Sequence, residues 1–308
     1  MGLAVELSRH AAQTYRVNNP GVPVIEGDVR KLTAARIREI VPGLPNPEAV
    51  LAGPPCQGYS AAGAREPGDP RNLLFKDVTR VAQELRPRFV VIENVPGLRR
   101  VNGQPFLHRI EASLRARGYA HTSYLLRAWD FGVPQDRLRY FIVARRGRRR
   151  QLPPEPEPTH QLPGRAAANG HAQTPTLMAA LEGLPALGPG VRAEWIKTPA
   201  ETFIGNASTM RHSRAVISKI RKIRPGRGPI SYRRLERDLA RTLVAGHRAL
   251  PVHPTRHRTI SVREAARIQG FRDSYFFCGP PADSPSRWLM RSRHRSPGVV
   301  AQHILTHG

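Results

Sequence analysis

The 308 residues carry 49 lysines and arginines against 23 aspartates and glutamates, a formal charge of +26 at pH 7. That excess points to a polyanionic partner such as nucleic acid, whose phosphates reward neutralisation, or to an arginine-rich surface with no particular partner. Two cysteines, Cys56 and Cys278, without Cys-x-x-Cys or Cys/His spacing exclude a disulfide framework and a structural metal site.

No apolar run approaches the roughly 20 residues that span a bilayer, and the opening residues lack a signal-peptide pattern, so the chain reads as cytoplasmic and free of membrane contact. Its length allows one large or two modest domains. A short apolar strand over 1–6 ends at Glu6, and Ser8 is placed to cap a helix over 9–17 that Asn18-Asn19-Pro20 stops. An acid closing a strand of a nucleotide-binding sheet commonly holds ribose hydroxyls, while alone it is a solvated charge. A second strand over 22–26 ends at Gly27-Asp28, which is either a ligand contact or a plain turn.

The run over 48–52 reads as a buried parallel strand, followed by Gly53-Pro54-Pro55-Cys56-Gln57-Gly58-Tyr59-Ser60. Two prolines fix the backbone before the thiol and Gly58 lets the chain turn back. Cys56 is thus presented at the carboxyl end of a strand, as a nucleophile or as a small core hydrophobe. Residues 61–72 read as a surface loop, and 73–85 as a helix with Leu74, Val78, Val81 and Leu85 facing the sheet. Phe89-Val90-Val91-Ile92 is a buried strand carrying Glu93 and Asn94 at its carboxyl end, where carboxylates are seldom packing residues.

A helix over 105–117 and a strand over 120–127 precede Gln135-Asp136-Arg137-Leu138-Arg139 and the strand over 140–144. On an extended segment Arg137 and Arg139 lie on one side, either serving a site or as surface arginines. Pro153-Pro154-Glu155-Pro156-Glu157-Pro158 reads as a stiff linker, after which 159–248 shows only short, weak periodic segments, and 211–237 is dense in arginine and lysine. Ser261-Val262-Arg263-Glu264 is a capping box that opens a helix toward Gly270-Phe271. The domains expected are therefore 1–150, a smaller irregular one over 151–250, and a return to the first over 251–308.

Four stretches occur in one order: Pro54-Pro55-Cys56-Gln57, Glu93-Asn94-Val95, Gln135-Asp136-Arg137-Leu138-Arg139, and Arg263-Glu264-Ala265-Ala266-Arg267-Ile268-Gln269-Gly270-Phe271. In that order the chain resembles the cytosine-5 DNA methyltransferases of bacterial restriction-modification type. The resemblance implies an α/β fold with a doubly wound, mostly parallel, Rossmann-like methyltransferase sheet and a separate target-recognition domain between the third and fourth blocks. It implies methyl transfer from S-adenosylmethionine, with no metal, to carbon 5 of a cytosine flipped out of double-stranded DNA. A cognate restriction endonuclease is the further partner expected.

By the same resemblance Cys56 is the nucleophile, Glu93 its partner on the base, and Arg137 and Arg139 hold the cytosine carbonyl or brace the glutamate. Glu6, Asp28 and Pro54 are expected at the cofactor, and Gln57, Ser60, Gln135 and Thr242 at the DNA, Thr242-Leu243 matching the recognition domain's threonine-leucine pair. The family's opening strand and glycine-rich cofactor loop have no counterpart before Ala4, and its closing block is matched only at Pro297-Gly298-Val299. The expectation is an amino-terminally truncated frame or a misplaced start codon, with a gap or edge in the sheet. A DNA-binding remnant without activity and a transfer RNA cytosine methyltransferase are the alternatives.

Overall fold

The computed structural model describes residues 2–55, 69–101, 104–147, 151–165, 170–229, 232–243 and 250–279. Strand β1 (Ala4–Glu6) leads into helix α1 (Arg9–Asn18), strand β2 (Val24–Glu26) and helix α2 (Ala34–Ile40). β1 and β2 pair in parallel with Glu6 level with Glu26. Ser8 occupies the N-cap of α1 as expected, yet its hydroxyl makes no capping bond.

The chain continues through β3 (Ala49–Ala52), α3 (Leu74–Leu85), β4 (Phe89–Asn94), α4 (Leu107–Ala116), β5 (Tyr119–Arg127), β6 (Gln135–Asp136) and β7 (Leu138–Arg146). Four of these strands form one sheet in the order β3, β4, β7, β5. β3 and β4 run parallel, whereas β7 is antiparallel to both β4 and β5. Alternate residues of β4 go to opposite faces, as a period of two requires. Val90 and Ile92 pack with Phe75, Val78 and Ala82 of α3 and with Ile110 and Leu114 of α4. Phe89 and Val91 pack with Tyr124, Phe141 and Val143 on the other face. Each such large side chain contributes roughly 1.5–3 kcal/mol by leaving water.

Three local expectations change in the folded chain. The buried stripe of α3 starts at Phe75 rather than Leu74, because a 3-10 turn over Pro70–Leu73 precedes the helix and sets its rotation. β3 is parallel but not buried, Leu51 being 45% exposed, since it is the outermost strand of its ladder among the described residues. The proline-rich run is no free linker: Pro153 and Pro156 are buried, the Tyr124 hydroxyl donates to the Pro153 carbonyl, and Arg145 donates to the Gln151 carbonyl at 2.7 Å. It lies as a strap against the sheet face that carries Tyr124.

Beyond the strap come α5 (Leu177–Leu181), the antiparallel pair β8 (Trp195–Lys197) and β9 (Phe203–Gly205), α6 (Arg214–Arg221), β10 (Ala240–Arg241) and α7 (Val262–Ile268). Their weak periodicity conceals a common core. Leu177 and Leu181 meet Leu235, Leu243, Ile260, Val262, Ala265 and Ile268. The segment after α7 returns to α1, where Phe276 exchanges two bonds with Asn18 and the Cys278 amide donates to Thr14 Oγ1 at 2.9 Å. Among the described residues no helix is long and apolar enough to cross a membrane.

The capping box of α7 forms, Ser261 Oγ accepting from the Glu264 amide and Glu264 Oε2 from the Ser261 amide at 2.6 Å. Glu264 also receives both Nη1 and Nη2 of Arg258 at 2.7 Å, in a site where both side chains are almost wholly buried. Arg263 donates to the carbonyls of Gly205, Arg272 and Tyr275, so it too is a structural residue. His253 stands beside Glu264, with Nδ1 accepting from the amides of Thr255 and Arg256 at 3.2 and 3.1 Å. That pattern makes His253 a neutral ring with its proton on Nε2, facing Glu264 Oε1 at 3.6 Å.

Burial, helped by nearby arginines, pushes the His253 ring from 6.5 to about 4, against the pull of Glu264. The unfolded chain therefore binds more protons between these values, and stability, full above pH 6.5, falls as pH drops through that window. The loss amounts to as much as about 3 kcal/mol. In urea denaturation at a series of pH values, His253→Gln should flatten this decline relative to the parent protein. Identical slopes in the two proteins would exclude His253 as its source.

Candidate active site

Strand β4 delivers Glu93 to its carboxyl end, and the antiparallel register with β7 sets Glu93 level with Phe141. Two arginines from the β6–β7 segment converge on that carboxylate. Arg139 Nε lies 3.0 Å and Arg137 Nη2 3.6 Å from Glu93 Oε1. The three side chains are largely withdrawn from water, 22% of Glu93, 10% of Arg137 and 12% of Arg139 remaining exposed. A carboxylate held between two guanidinium groups in such a place is fixed in position, with enough exposure left to meet a ligand.

The end of β3 is brought to the same place. Its parallel register sets Ala52 level with Ile92, so the residues that follow run alongside Glu93 and Asn94. Asn94 is 4% exposed; its amide nitrogen donates to the Pro54 carbonyl at 3.4 Å while its oxygen accepts from the Val95 amide at 2.9 Å. Pro54 is thereby tied to the end of β4, two residues before Cys56 in the chain. Cys56, Gln57 and Ser60 lie outside the described residues.

Gln135 and Thr242 lie on neighbouring segments at the joint between the two parts of the chain. β6 pairs in parallel with β10, Gln135 level with Ala240 and Asp136 with Arg241. The Thr242 hydroxyl donates to the Asp136 carbonyl at 2.7 Å, so in this structure it braces the arginine-bearing turn. Gln135 is fully buried.

Glu6 ends β1 with Leu7, 68% exposed, next in the chain. Burial most of all, with Tyr15 and Glu6 adding to it, pushes the Tyr275 phenol up to about 12. Asp28 caps a 3-10 turn over Val29–Lys31 by accepting from the Arg30 amide at 2.9 Å, and pairs with the Arg30 guanidinium, which holds the carboxyl below its ordinary range. The folded chain thus brings Glu93, Arg137 and Arg139 together, ties Pro54 to the adjoining Asn94, and leaves Glu6 and Asp28 at the ends of the neighbouring β1–β2 pair. Among the described residues no three His, Cys, Asp or Glu side chains are grouped to hold a metal. Asn94 stands in the Glu93-Asn94-Val95 block at the end of a buried strand, yet the sequence assigned it no role of its own.

A profile of the C-5 cytosine-specific DNA methylase family matches residues 1–285. The chain is 28% identical, over 90% of its length and 74% of the relative's, to the Type II methyltransferase M.DdeI of Desulfomicrobium norvegicum. It is 30% identical, over 90% and 73%, to the Type II methyltransferase M1.HphI of Haemophilus parahaemolyticus. Among solved structures it resembles a chain encoded within an E. coli prophage and described as a DNA modification methyltransferase, with a TM-score of 0.76, 24% identity, and coverage of 100% and 91%. The Dnmt2 methyltransferase of S. pombe superposes with a TM-score of 0.60 at 16% identity, covering 99% and 90%. These two likenesses establish the Rossmann-like methyltransferase fold.

The bonds of Asn94 make a graded prediction for the site's rigidity. Asn94→Leu, which loses the bonds to Val95 and Pro54, should cost roughly 1–3 kcal/mol in denaturant unfolding. Asn94→Asp keeps the acceptor for Val95 and should cost less. A leucine variant as stable as the parent would show that the clip does not hold the two strand ends together.

Proposed function

Because the chain belongs to the C-5 cytosine-specific DNA methylase family and methylates cytosine at carbon 5, we propose that Cys56 is its nucleophile and that Glu93, Arg137 and Arg139 activate the base. The observation that carries this reading is the Glu93 carboxylate fixed between Arg139 and Arg137, next to the Pro54-Pro55 step that leads into the Cys56 loop. Carbon 5 of cytosine is a poor nucleophile. The Cys56 thiolate adds to carbon 6, and the electron pair of the ring double bond moves toward carbon 5, which becomes enamine-like. Glu93 stabilises the adduct at nitrogen 3 and the amino group. Arg139, at 3.0 Å, braces the carboxylate, and Arg137, farther from it at 3.6 Å, is better placed to turn toward the cytosine carbonyl.

S-adenosylmethionine, when bound, supplies the electrophilic methyl group that carbon 5 takes. Glu6 and Asp28, at the ends of β1 and β2, and Pro54 fit the nucleoside part, since an acceptor for ribose hydroxyls stands beside the exposed apolar surface of Leu7. Loss of the carbon 5 proton to solvent water then restores the double bond as the bond between carbon 6 and the Cys56 sulfur breaks and the thiolate leaves. Splitting the reaction this way replaces one difficult step by two easier ones. The base must leave the stack first, at a cost of a few kcal/mol. Gln57, Ser60, Gln135 and the Thr242 turn are the residues proposed on the DNA side. The relatives' Type II designation supports pairing with a cognate restriction endonuclease.

Transfer of a labelled methyl group from S-adenosylmethionine to unmethylated DNA tests the reading. Cys56→Ala should abolish incorporation while DNA affinity stays within a few-fold; incorporation at the parent rate would refute the assignment. The face of α6 and the turn after it expose Arg214, Lys219, Arg221, Lys222, Arg224 and Arg227 without an acidic residue among them. Changing Arg221 and Arg224 to Gln should weaken binding to all DNA sequences alike. The slope of log affinity against log salt should become shallower by about 1 for each phosphate no longer neutralised. An unchanged slope would remove this face from the DNA interface.

A further inference from the structure

The Gln135 side chain is fully buried, and neither Oε1 nor Nε2 has a hydrogen-bond partner. Among the described residues no other side-chain amide is left bare at both ends. Buried polar groups are nearly always bonded, and one that is not destabilises the fold that keeps it. Nor is the position one the backbone could readily vacate. The Gln135 amide donates to the Val133 carbonyl at 2.7 Å, its carbonyl accepts from the Arg137 amide at 2.9 Å, and β10 pairs alongside. This anchored backbone sets Gln135 two residues before Arg137, whose guanidinium reaches Glu93.

We infer that Gln135 is a positioning residue for methyl transfer, its amide kept bare in the free protein and hydrogen-bonded only when the extruded target base is in place. This rests on the residue roles proposed above and adds a specific contact to them. The chemistry of the bare amide selects the partner. A donor and an acceptor stand unfilled side by side, and a phosphate, which only accepts, would leave Oε1 unsatisfied. The edge of a nucleobase offers both. A group that destabilises the free protein and is satisfied on binding is a common arrangement at functional sites.

Gln135→Met keeps the length of the side chain and removes both bare polar ends. Without DNA it should melt higher than the parent, by about 2 °C or more, while kcat/KM for labelled methyl transfer falls at least tenfold. It should also bind duplex containing the target cytosine more weakly than the parent does, and bind a duplex abasic at that position equally well. A melting point at or below the parent's with unchanged kcat/KM would make Gln135 a packing residue and overturn the inference. A difference in affinity that persists on abasic DNA would overturn the assignment to the base. If the parent transfers no label, the proposed function fails, and the paired melting and binding measurements still decide the role of Gln135. Should Gln135→Met not fold, Gln135→Glu, which keeps the acceptors and loses the donor, takes its place with the same expected loss of binding to the cytosine duplex.

Discussion

The Glu93 carboxylate between Arg137 and Arg139 is the interaction on which the rest of the site depends. It joins two strands that run in opposite directions, one carrying the acid at its carboxyl end and the other carrying Arg139 at its start, with Arg137 in the turn before it. Removing two opposite charges from water is costly, and the cost is offset only when geometry is good and the remaining valences are filled. Here two donors share one carboxylate, and Asn94 beside it holds the end of β3 at the same level. The position of Pro54, two residues before Cys56 in the chain, therefore follows from the strand register.

The same segment couples the site to the rest of the chain. β6 pairs with β10, and Thr242 bonds to the carbonyl between Gln135 and Arg137, so the residues proposed to face DNA and the arginines that hold the acid share one backbone. A second buried ionic group performs the corresponding task behind it. Glu264 closes the capping box, binds Arg258 through two bonds and stands beside a neutral His253, fixing α7 against the region that precedes it. Both nodes consist of charge satisfied inside the protein. Each would cost more to break at one partner than to replace entirely by apolar residues.

Much of this was legible from the residues. The continuous apolar run before Glu93 could only be a buried strand, and Val90 and Ile92 are indeed fully buried. The Ser-x-x-Glu spacing at 261–264 announced a helix start because the capping box is a local interaction. Other features depend on distant neighbours and left no local signal. The run Pro153 to Pro158 has the composition of a spacer, yet two of its prolines are buried because a sheet face lies open beneath it. The weakly periodic stretch after it builds a core only in combination with α7, so no single segment shows a clean stripe.

The sequence by itself determined the strand order along the chain, the identity of the acid and the arginines, and the chemistry that their blocks imply. These follow from short-range pattern, in which a strand end, a turn and a residue type are read together. Tertiary structure alone decided that Arg139 lies closer than Arg137 to Glu93, that Thr242 braces a turn, and that Gln135 is buried with nothing to bond to. Each of these is a relation set by ladder register and by which face of the sheet is covered, beyond the reach of any local pattern. Side-chain type names what a group can do, and only packing fixes which partner it meets.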